Sequence, residues 1–320
     1  MMIRRALRWA MQRVVADAPV ILMYHRVTEL PVDPWGLAVH PDRFREQIDA
    51  LMRARHVVPL NKLLDMEARR SFRDKPLAAV TFDDGYVDVY SEARPILQAF
   101  SCPTTVFVTT GAIGTDREFW WDALARIFLE TVCLPTTLAL TIANDAHDWV
   151  IPPLDETGDR EKIFYEVYSA LRTLSQEVQT AYIDELGHWA NCELTPRPAH
   201  RAMTRQELED LSHDPIMIGP HSVTHPALGA HSPDFQREEI LESKRFCEAI
   251  VRAPVDTFAY PFGDYDDQTL SALRDAGIKF ACTTRLGVIH RNVDPLRLPR
   301  FQVGNWNGDE LLKRIDEGCI

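Results

Sequence analysis

The chain has 320 residues, of which 46% are hydrophobic and 26% are charged, and its formal net charge is −12. This length and composition are typical of a soluble globular protein that buries a full core. The negative charge argues against nucleic acid or another polyanion as the main partner. Because the sequence contains no run of about 18 apolar residues, a typical transmembrane helix is also excluded.

The first predicted element is a helix over residues 1–17 with a basic face. It lacks the uninterrupted apolar core of a signal peptide, which favours a cytoplasmic location. The helix either packs on the rest of the protein as an extra element or attaches weakly to an anionic membrane surface. We assign residues 18–320 to one domain. The basic residues of the helix are Arg4, Arg5, Arg8 and Arg13.

The first predicted strand, at residues 20–27, is apolar until it ends in Tyr24, His25 and Arg26. The active sites of barrels lie where parallel strands deliver their C-terminal ends, which places His25 in position to take part in chemistry. The alternative is a histidine whose ring is satisfied by a hydrogen bond in the core. Helices and strands then alternate as far as Thr109, which indicates a parallel sheet, closed or open.

Two adjacent carboxylates follow another apolar strand. Leu77–Val80 is small and apolar, as expected of a strand that is buried on both faces, and Asp83 and Asp84 come soon after it. Gly85 permits a sharp turn that can bring both side chains into one pocket. Two acids in one pocket repel each other unless a cation or a shared proton compensates. The alternative is a solvated turn.

The stretch from about residue 113 to residue 202 interrupts the alternation of strands and helices. Helical patterns recur in it, and we interpret it as an inserted, largely helical subdomain that forms a wall or lid over the site. Trp120 and Trp121 lie at the start of its first predicted helix. An aromatic pair at this position either packs in the core or offers its apolar faces to a ligand.

A pair of histidines lies in the loop after the next predicted strand. His221 and His225 are separated by three residues, which suits two imidazoles that bind one metal ion. Pro220 and Pro226 bracket the pair, so a loop is favoured over a long helix. Together with Asp84, the histidines predict a site with two imidazoles, one carboxylate and room for water, which is typical of a catalytic metal.

The segments Thr81–Gly85 and His221–His225, in this order, resemble two motifs of the polysaccharide deacetylase family, the NodB-homology domains of carbohydrate esterase family 4. The resemblance runs from about residue 20 to residue 303, with the insertion unmatched. It implies an α/β fold, namely a deformed (β/α)7 barrel, and it implies Asp83 as the general base. By the same resemblance a divalent metal, usually Zn²⁺, is bound by Asp84, His221 and His225.

The resemblance also implies roles for other positions. His25 matches the general acid of circularly permuted deacetylases. Residues 257–264 resemble a third motif, but Ala259 stands where the family has an arginine that steadies the catalytic aspartate, and Arg300 is our candidate replacement. The backbone N–H of Phe262 is expected to help hold the oxyanion. The predicted substrate contacts are Trp120, Trp121, Tyr260 and Trp306.

These residues predict a hydrolase in which a metal-activated water removes N-acetyl groups from an N-acetylhexosamine-containing poly- or oligosaccharide. One alternative is deacylation of another amide or ester, such as a small amide, a formyl group or an O-acetyl group. A further alternative is a carbohydrate-binding relative that has lost catalysis, which the missing arginine at Ala259 leaves open. The expected partner is an N-acetylated carbohydrate and not a nucleic acid.

Overall fold

The computed structural model of the protein describes residues 16–71, 73–154 and 159–318. The predicted N-terminal helix lies outside these residues except for Ala16 and Asp17, so its basic face and its membrane contact stay predictions. Within the described ranges, no helix is long and apolar enough to cross a membrane.

Strands and helices alternate along most of the chain. The strands are β1 (Val20–Tyr24), β2 (Arg26–Val27), β3 (Ala38–Val39), β4 (His56–Val57), β5 (Leu77–Phe82), β6 (Thr104–Val108), β7 (Thr137–Ile142), β8 (Asp145–Val150), β9 (Ile216–Pro220), β10 (Thr257–Ala259), β11 (Phe280–Cys282) and β12 (Phe301–Gln302). The helices are α1 (Pro41–Ala54), α2 (Leu63–Arg69), α3 (Arg94–Ala99), α4 (Trp120–Ala125), α5 (Asp159–Leu171), α6 (Gln176–Trp189), α7 (Arg205–Ser212), α8 (Pro233–Val251), α9 (Asp267–Asp275) and α10 (Gly308–Asp316).

The main sheet has the strand order β12-β1-β5-β6-β9, with β4 paired to β5, and all of these pairs are parallel. Its register places Leu22 opposite Val80. A separate parallel pair is formed by β10 and β11, and a parallel bridge joins Cys282 to Leu298 shortly before β12. The strands form the predicted deformed (β/α) barrel, whose hydrogen-bond ladder is interrupted between β9 and β10.

Alternate residues of the central strands face opposite sides of the sheet. In β1, Leu22 and Tyr24 belong to the core between the sheet and the outer helices, whereas Ile21 lies in the barrel interior with Ala79. Because side chains alternate with a period of two, Asp83 follows Ala79 on the interior face at the C-terminal end of β5. The strands therefore deliver this carboxylate to the open end of the barrel.

The region predicted as an insertion contains α4, the antiparallel hairpin of β7 and β8, α5 and α6. These elements share a hydrophobic core that includes Phe128, Leu140, Phe164 and Leu186, all of them buried. In β7, buried and exposed residues alternate, as expected of a hairpin that covers a core with one face. The region is thus helical with one added hairpin, and its status as a subdomain stays a prediction.

Candidate active site

The two adjacent carboxylates occupy a tight turn at the end of β5. Asp84 and Gly85 both have a positive φ, of 70° and 89°. The backbone N–H of Asp83 donates to Tyr24 O at 3.0 Å, and Asp84 O accepts from Thr109 N at 3.1 Å. The turn is therefore held by β1 on one side and β6 on the other, and both carboxyl groups are buried.

Arg300 lies against Asp83 in the barrel interior. Its guanidinium donates to Asp83 Oδ1 at 2.7 Å and to Oδ2 at 2.6 Å, and Arg300 is completely buried. The same guanidinium also donates to Thr283 O at 2.9 Å and to Thr81 Oγ1 at 3.2 Å, which fixes its plane. Burial by itself raises the pKa of Asp83, but Arg300 and His221 outweigh burial and hold this pKa below its usual value.

The two histidines converge on the second carboxylate. His221 Nε2 lies 3.5 Å and His225 Nε2 lies 3.3 Å from Asp84 Oδ1. The potential ligand atoms of these three buried residues all lie within 4.8 Å of one another. The structure thus brings together the three residues that the sequence predicts as metal ligands.

The loop that carries the histidine pair is tied to α8 by Glu239. The buried carboxylate of Glu239 accepts hydrogen bonds from Val223 N at 2.7 Å, from Thr224 N at 2.9 Å and from Thr224 Oγ1 at 2.8 Å. Ser222 Oγ accepts from the backbone N–H of His225 at 3.0 Å. These bonds stabilise a loop in which His225 itself has a positive φ of 58°.

The protonation states suit a metal site. The Nδ1 atom of His221 lies 2.8 Å from Ala259 O, so it carries the proton and leaves Nε2 as the free lone pair. Burial lowers the pKa of His221 to about 4, which keeps this ring neutral at pH 7. For Asp84, burial raises the pKa, but the neighbouring His225 lowers it by more, so this pKa lies below its usual value. Two imidazoles and an ionised carboxylate fit a divalent metal.

His25 and Phe262 line a cavity of about 170 Å³, and Asp83, Asp84 and both histidines line the same cavity. His25 is close enough to the two carboxyl groups to help lower the pKa of each. The ring of Phe262 packs edge-on against His225, with the ring centroids 4.5 Å apart. Its backbone has a positive φ of 57°, within a sharp turn after β10.

A model of the family described as polysaccharide deacetylase matches residues 71–133 and 167–281, which are together more than half of the chain. The chain belongs to this family. The family predicted from the motifs is therefore confirmed. Residues 134–166, which the polysaccharide deacetylase model leaves unmatched, include the β7–β8 hairpin and part of α5.

The chain is also similar to two relatives over shorter segments. Over 101 residues the chain is 26% identical to YxkH of Bacillus subtilis (strain 168), a candidate polysaccharide deacetylase, which covers 32% of this chain and 36% of YxkH. Over 86 residues it is 36% identical to the poly-β-1,6-N-acetyl-D-glucosamine N-deacetylase of Escherichia coli (strain K12), which covers 26% of this chain and 13% of that protein. The aligned segments thus span well under half of either relative.

Two solved structures of other proteins share the fold. The deacetylase PplD of Streptococcus pyogenes, in complex with acetate, matches with a TM-score of 0.61 and 20% identity over 93% of this chain and 98% of that chain. IcaB from Ammonifex degensii matches with a TM-score of 0.59 and 18% identity over 94% and 97% of the two chains. At these identities the similarity supports the barrel fold.

The aromatic residues predicted as substrate contacts separate into two groups. Trp121 and Tyr260 line the cavity that contains the two carboxylates and both histidines. The Tyr260 hydroxyl, however, donates a hydrogen bond to Leu296 O at 2.7 Å. Trp121 lies with its ring centroid 4.6 Å from that of His225. Trp120 stacks on Tyr168 with 4.9 Å between the ring centroids and does not line this cavity.

Trp306 lies away from the cavity, contrary to its predicted position. It packs near Phe301, with ring centroids 6.1 Å apart, and under the guanidinium of Arg314 at 4.3 Å. The physical reason is the turn after β12, in which Trp306 N donates back to Gly304 O at 2.8 Å and directs the indole toward α10. A substrate contact by Trp306 at this cavity therefore has no support from the geometry.

Two aromatic residues of the cavity were not predicted. Tyr168 comes from α5 and Trp35 from the loop before β3, and their ring centroids are 4.4 Å apart. Neither lies in a motif or at the end of a predicted barrel strand, so local sequence offers no signal for either one. Their position depends on how the insertion packs on the barrel.

Proposed function

We propose that the protein is a metal-dependent hydrolase that removes N-acetyl groups from an N-acetylhexosamine-containing poly- or oligosaccharide. The observation that carries this proposal is that two adjacent carboxylates in one cavity have different partners. Asp83 is bound by Arg300, whereas Asp84 faces His221 and His225. These different surroundings support the proposed roles of Asp83 as the base and of Asp84 as a metal ligand.

Asp84, His221 and His225 are the residues that would hold the ion, and their oxygen and nitrogen donors favour Zn²⁺. When bound, such an ion supplies a water of lowered pKa and polarises the acyl carbonyl. The buried Nδ1 atom of His225 has no hydrogen-bond partner among the described residues, while the Nε2 atom of the same ring points toward Asp84.

Asp83 is the proposed general base. Its lowered pKa keeps the carboxylate ionised at neutral pH, and each oxygen retains a lone pair beyond the one that accepts from Arg300. The fork of the guanidinium holds the carboxylate plane in one orientation, so that proton transfer from the attacking water begins from a fixed geometry. Arg300 would thereby substitute for the arginine that Ala259 replaces.

His25 is the proposed general acid, and Phe262 is the proposed oxyanion donor. A proton on the His25 ring would pass to the departing amine nitrogen of the sugar when the C–N bond breaks. The backbone N–H of Phe262 would donate to the oxygen of the tetrahedral intermediate. Both residues line the cavity that contains the two carboxylates, which supports these assignments.

The proposed substrate class has two lines of support. One relative is named a poly-β-1,6-N-acetyl-D-glucosamine N-deacetylase, although the match covers 13% of that protein. In addition, Trp121, Tyr168 and Trp35 give the cavity an aromatic wall, and aromatic faces pack well on the apolar C–H faces of sugars. Acylated carbohydrates are therefore favoured over small polar amides.

The decisive test compares wild type, Asp83→Asn and His221→Ala, all purified identically. Metal content is measured by elemental analysis, and release of acetate is measured from N-acetylglucosamine oligomers, with formate release from N-formyl analogues alongside. We expect about one ion per chain in wild type and in Asp83→Asn, with turnover reduced about 10²–10⁴-fold in the latter. His221→Ala should lose both the ion and activity.

Two results would contradict the proposal. The first is a fully metal-loaded wild type that releases acetate from no oligomer. The second is loss of the ion from Asp83→Asn, which would show that Asp83 is a ligand and not a base. Preferential release of formate would reassign the acyl group while leaving the metal site intact.

A further inference from the structure

The two histidines of the candidate metal site are oriented in different ways. His221 donates from Nδ1 to Ala259 O at 2.8 Å, which fixes the plane of its ring. Such a hydrogen bond from the second ring nitrogen is usual for histidines that bind metals. The buried Nδ1 atom of His225, in contrast, has no hydrogen-bond partner among the described residues. The orientation of the His225 ring therefore depends on packing.

Two aromatic rings pack against the imidazole of His225. The ring centroids of Trp121 and Phe262 lie 4.6 and 4.5 Å from that of His225, with interplanar angles of 53° and 84°. The Trp121 and Phe262 centroids are 6.2 Å apart, so the two rings contact the imidazole from different directions. Trp121 also stacks on Phe119, with 4.6 Å between the ring centroids. Because protein interiors are close-packed, these rings restrict rotation of the imidazole.

The Trp121 indole is itself fixed by the hydroxyl of Tyr86. Trp121 Nε1 donates to this hydroxyl at 2.9 Å, and the hydroxyl donates to Asp122 Oδ2 at 2.8 Å. A hydroxyl has one hydrogen, so donation to Asp122 leaves the lone pairs of the oxygen for the indole N–H. Trp121 and Asp122 are neighbours on α4, which therefore holds the hydroxyl through both its donor and its acceptor functions.

The ring of Tyr86 is fixed from the barrel side. The guanidinium of Arg26 lies 4.2 Å from the Tyr86 ring centroid, and Arg26 Nε donates to Asp88 Oδ2 at 2.9 Å. All three residues are buried, and a cation over an aromatic face is attracted more strongly when both are shielded from water. Tyr86 also follows Asp84 by only two positions, so the turn after β5 carries both a predicted metal ligand and this hydroxyl.

We propose that Tyr86 is a positioning residue for the metal site. Its hydroxyl fixes the Trp121 indole, and the indole holds the His225 imidazole with its Nε2 atom toward Asp84. Aromatic packing thus takes the place of the hydrogen bond that orients the other histidine. This inference rests on the proposed function, because it takes His225 to be a metal ligand. It also connects the region predicted as an insertion to the metal site, since α4 belongs to that region.

The test measures Zn²⁺ affinity by competition with a chromophoric chelator in wild type, Tyr86→Phe, Trp121→Phe and the double variant. Tyr86→Phe should weaken Zn²⁺ binding about 10- to 100-fold, as is typical when the support of a metal ligand is lost. Trp121→Phe keeps an aromatic ring but has no N–H for the hydroxyl to hold, so it should weaken binding as well. The double variant should bind Zn²⁺ no more weakly than Trp121→Phe, because the hydroxyl acts only through the indole.

The chain offers a matched control in Tyr24. Tyr24 is as buried as Tyr86, and its hydroxyl also donates to a side chain, Gln47 Oε1, at 3.1 Å, but its ring lies in the core beneath the outer helices. Tyr24→Phe should therefore leave Zn²⁺ affinity unchanged. A second readout is the visible absorption spectrum of the Co²⁺-loaded protein, which depends on ligand geometry. It should change in Tyr86→Phe and stay the same in Tyr24→Phe.

The possible results separate this inference from the proposed function, because neither readout needs a substrate. Wild-type Zn²⁺ affinity in Tyr86→Phe, or losses that add in the double variant, would overturn the positioning role and leave the deacetylase proposal standing. The expected losses in a protein that deacetylates no oligomer would support the positioning role and reject the proposed activity. A wild type that binds neither Zn²⁺ nor Co²⁺ would reject both.

Discussion

Arg300 binds both carboxylate oxygens of Asp83, at 2.7 and 2.6 Å, across 217 positions of the sequence. The position at which the family motif has its arginine holds Ala259, which is buried in the barrel interior. A guanidinium from the residue just before β12 thus reaches Asp83, the carboxylate that the motif arginine is predicted to steady. If Asp83 is the base, as proposed, Arg300 can hold its orientation although Ala259 stands in the motif.

Arg300→Ala should destabilise the protein by about 3–5 kcal/mol, because it leaves the buried Asp83 carboxylate without its partner. Arg300→Lys keeps the charge but cannot form the bidentate pair of hydrogen bonds with Asp83. We therefore expect a smaller loss of stability and a clear fall in kcat. Unfolding in urea and acetate-release kinetics measure the two effects. Arg297→Lys is the control, since Arg297 is half exposed and its acidic neighbours lie 3.6 and 3.9 Å away. Unchanged kcat in Arg300→Lys would contradict the positioning role.

Metal removal should change stability as well as activity. A ligand that binds only the folded state raises the free energy of unfolding, so adding Zn²⁺ to chelator-treated protein should raise Tm. The rise should be absent in His225→Ala, because this variant lacks one of the three predicted ligands. His213→Ala should respond like wild type, since His213 is exposed and lies outside the cluster. The same rise in all three proteins would indicate binding elsewhere.

Much of the site was predictable because its chemistry is local in sequence. Asp83 and Asp84 follow an apolar strand directly, and the spacing of His221 and His225 already suits one metal. The barrel then brings these two segments together, since parallel strands deliver their ends to the same side. The capping box of Thr204 and Glu207 was predictable for the same reason, and the structure contains it.

Features that depend on tertiary packing were harder to predict. Tyr168 and Trp35 reach the cavity only because the insertion packs on the barrel, and Trp306 turns away because of the bend at Gly304. The strand β4 is only two residues long, because the chain enters a 3₁₀ turn at Leu60 after Pro59. Local pattern alone determines none of these outcomes.

Glu239 is expected to support the metal site without contacting the ion. Glu239→Gln retains the size of the side chain but removes the charge that accepts three hydrogen bonds from the Val223–Thr224 segment. Loss of such support around metal ligands typically weakens metal affinity about 10- to 100-fold. Competition with a chromophoric chelator measures this affinity. Glu238→Gln is the matched control, because Glu238 is adjacent on α8 and exposed. Equal affinity in the two variants would show that the loop does not need Glu239.

Glu207 should contribute stability that disappears in acid. Its carboxylate accepts from Arg201 at 2.8 and 2.7 Å and from Thr204 N at 2.7 Å, and the Arg201 hydrogen bond is the main cause that lowers the pKa of Glu207 to about 2. A lowered folded-state pKa stabilises the protein above the unfolded-state pKa near 4.5, and this contribution is lost as pH falls toward about 2.

Glu207→Gln preserves the capping hydrogen bond but not the charge, so the expected loss at pH 7 is about 0.5–1 kcal/mol after allowance for solvent screening. The difference from wild type should shrink steadily between pH 4.5 and about 2, as followed by urea unfolding at each pH. Glu209→Gln removes an exposed pair with Arg205 one turn away and should cost only about 0.3–0.5 kcal/mol. A difference for Glu207→Gln that persists unchanged at the acid end would mean that the charge of Glu207 is not its source, because a protonated carboxyl and an amide would then differ only in packing.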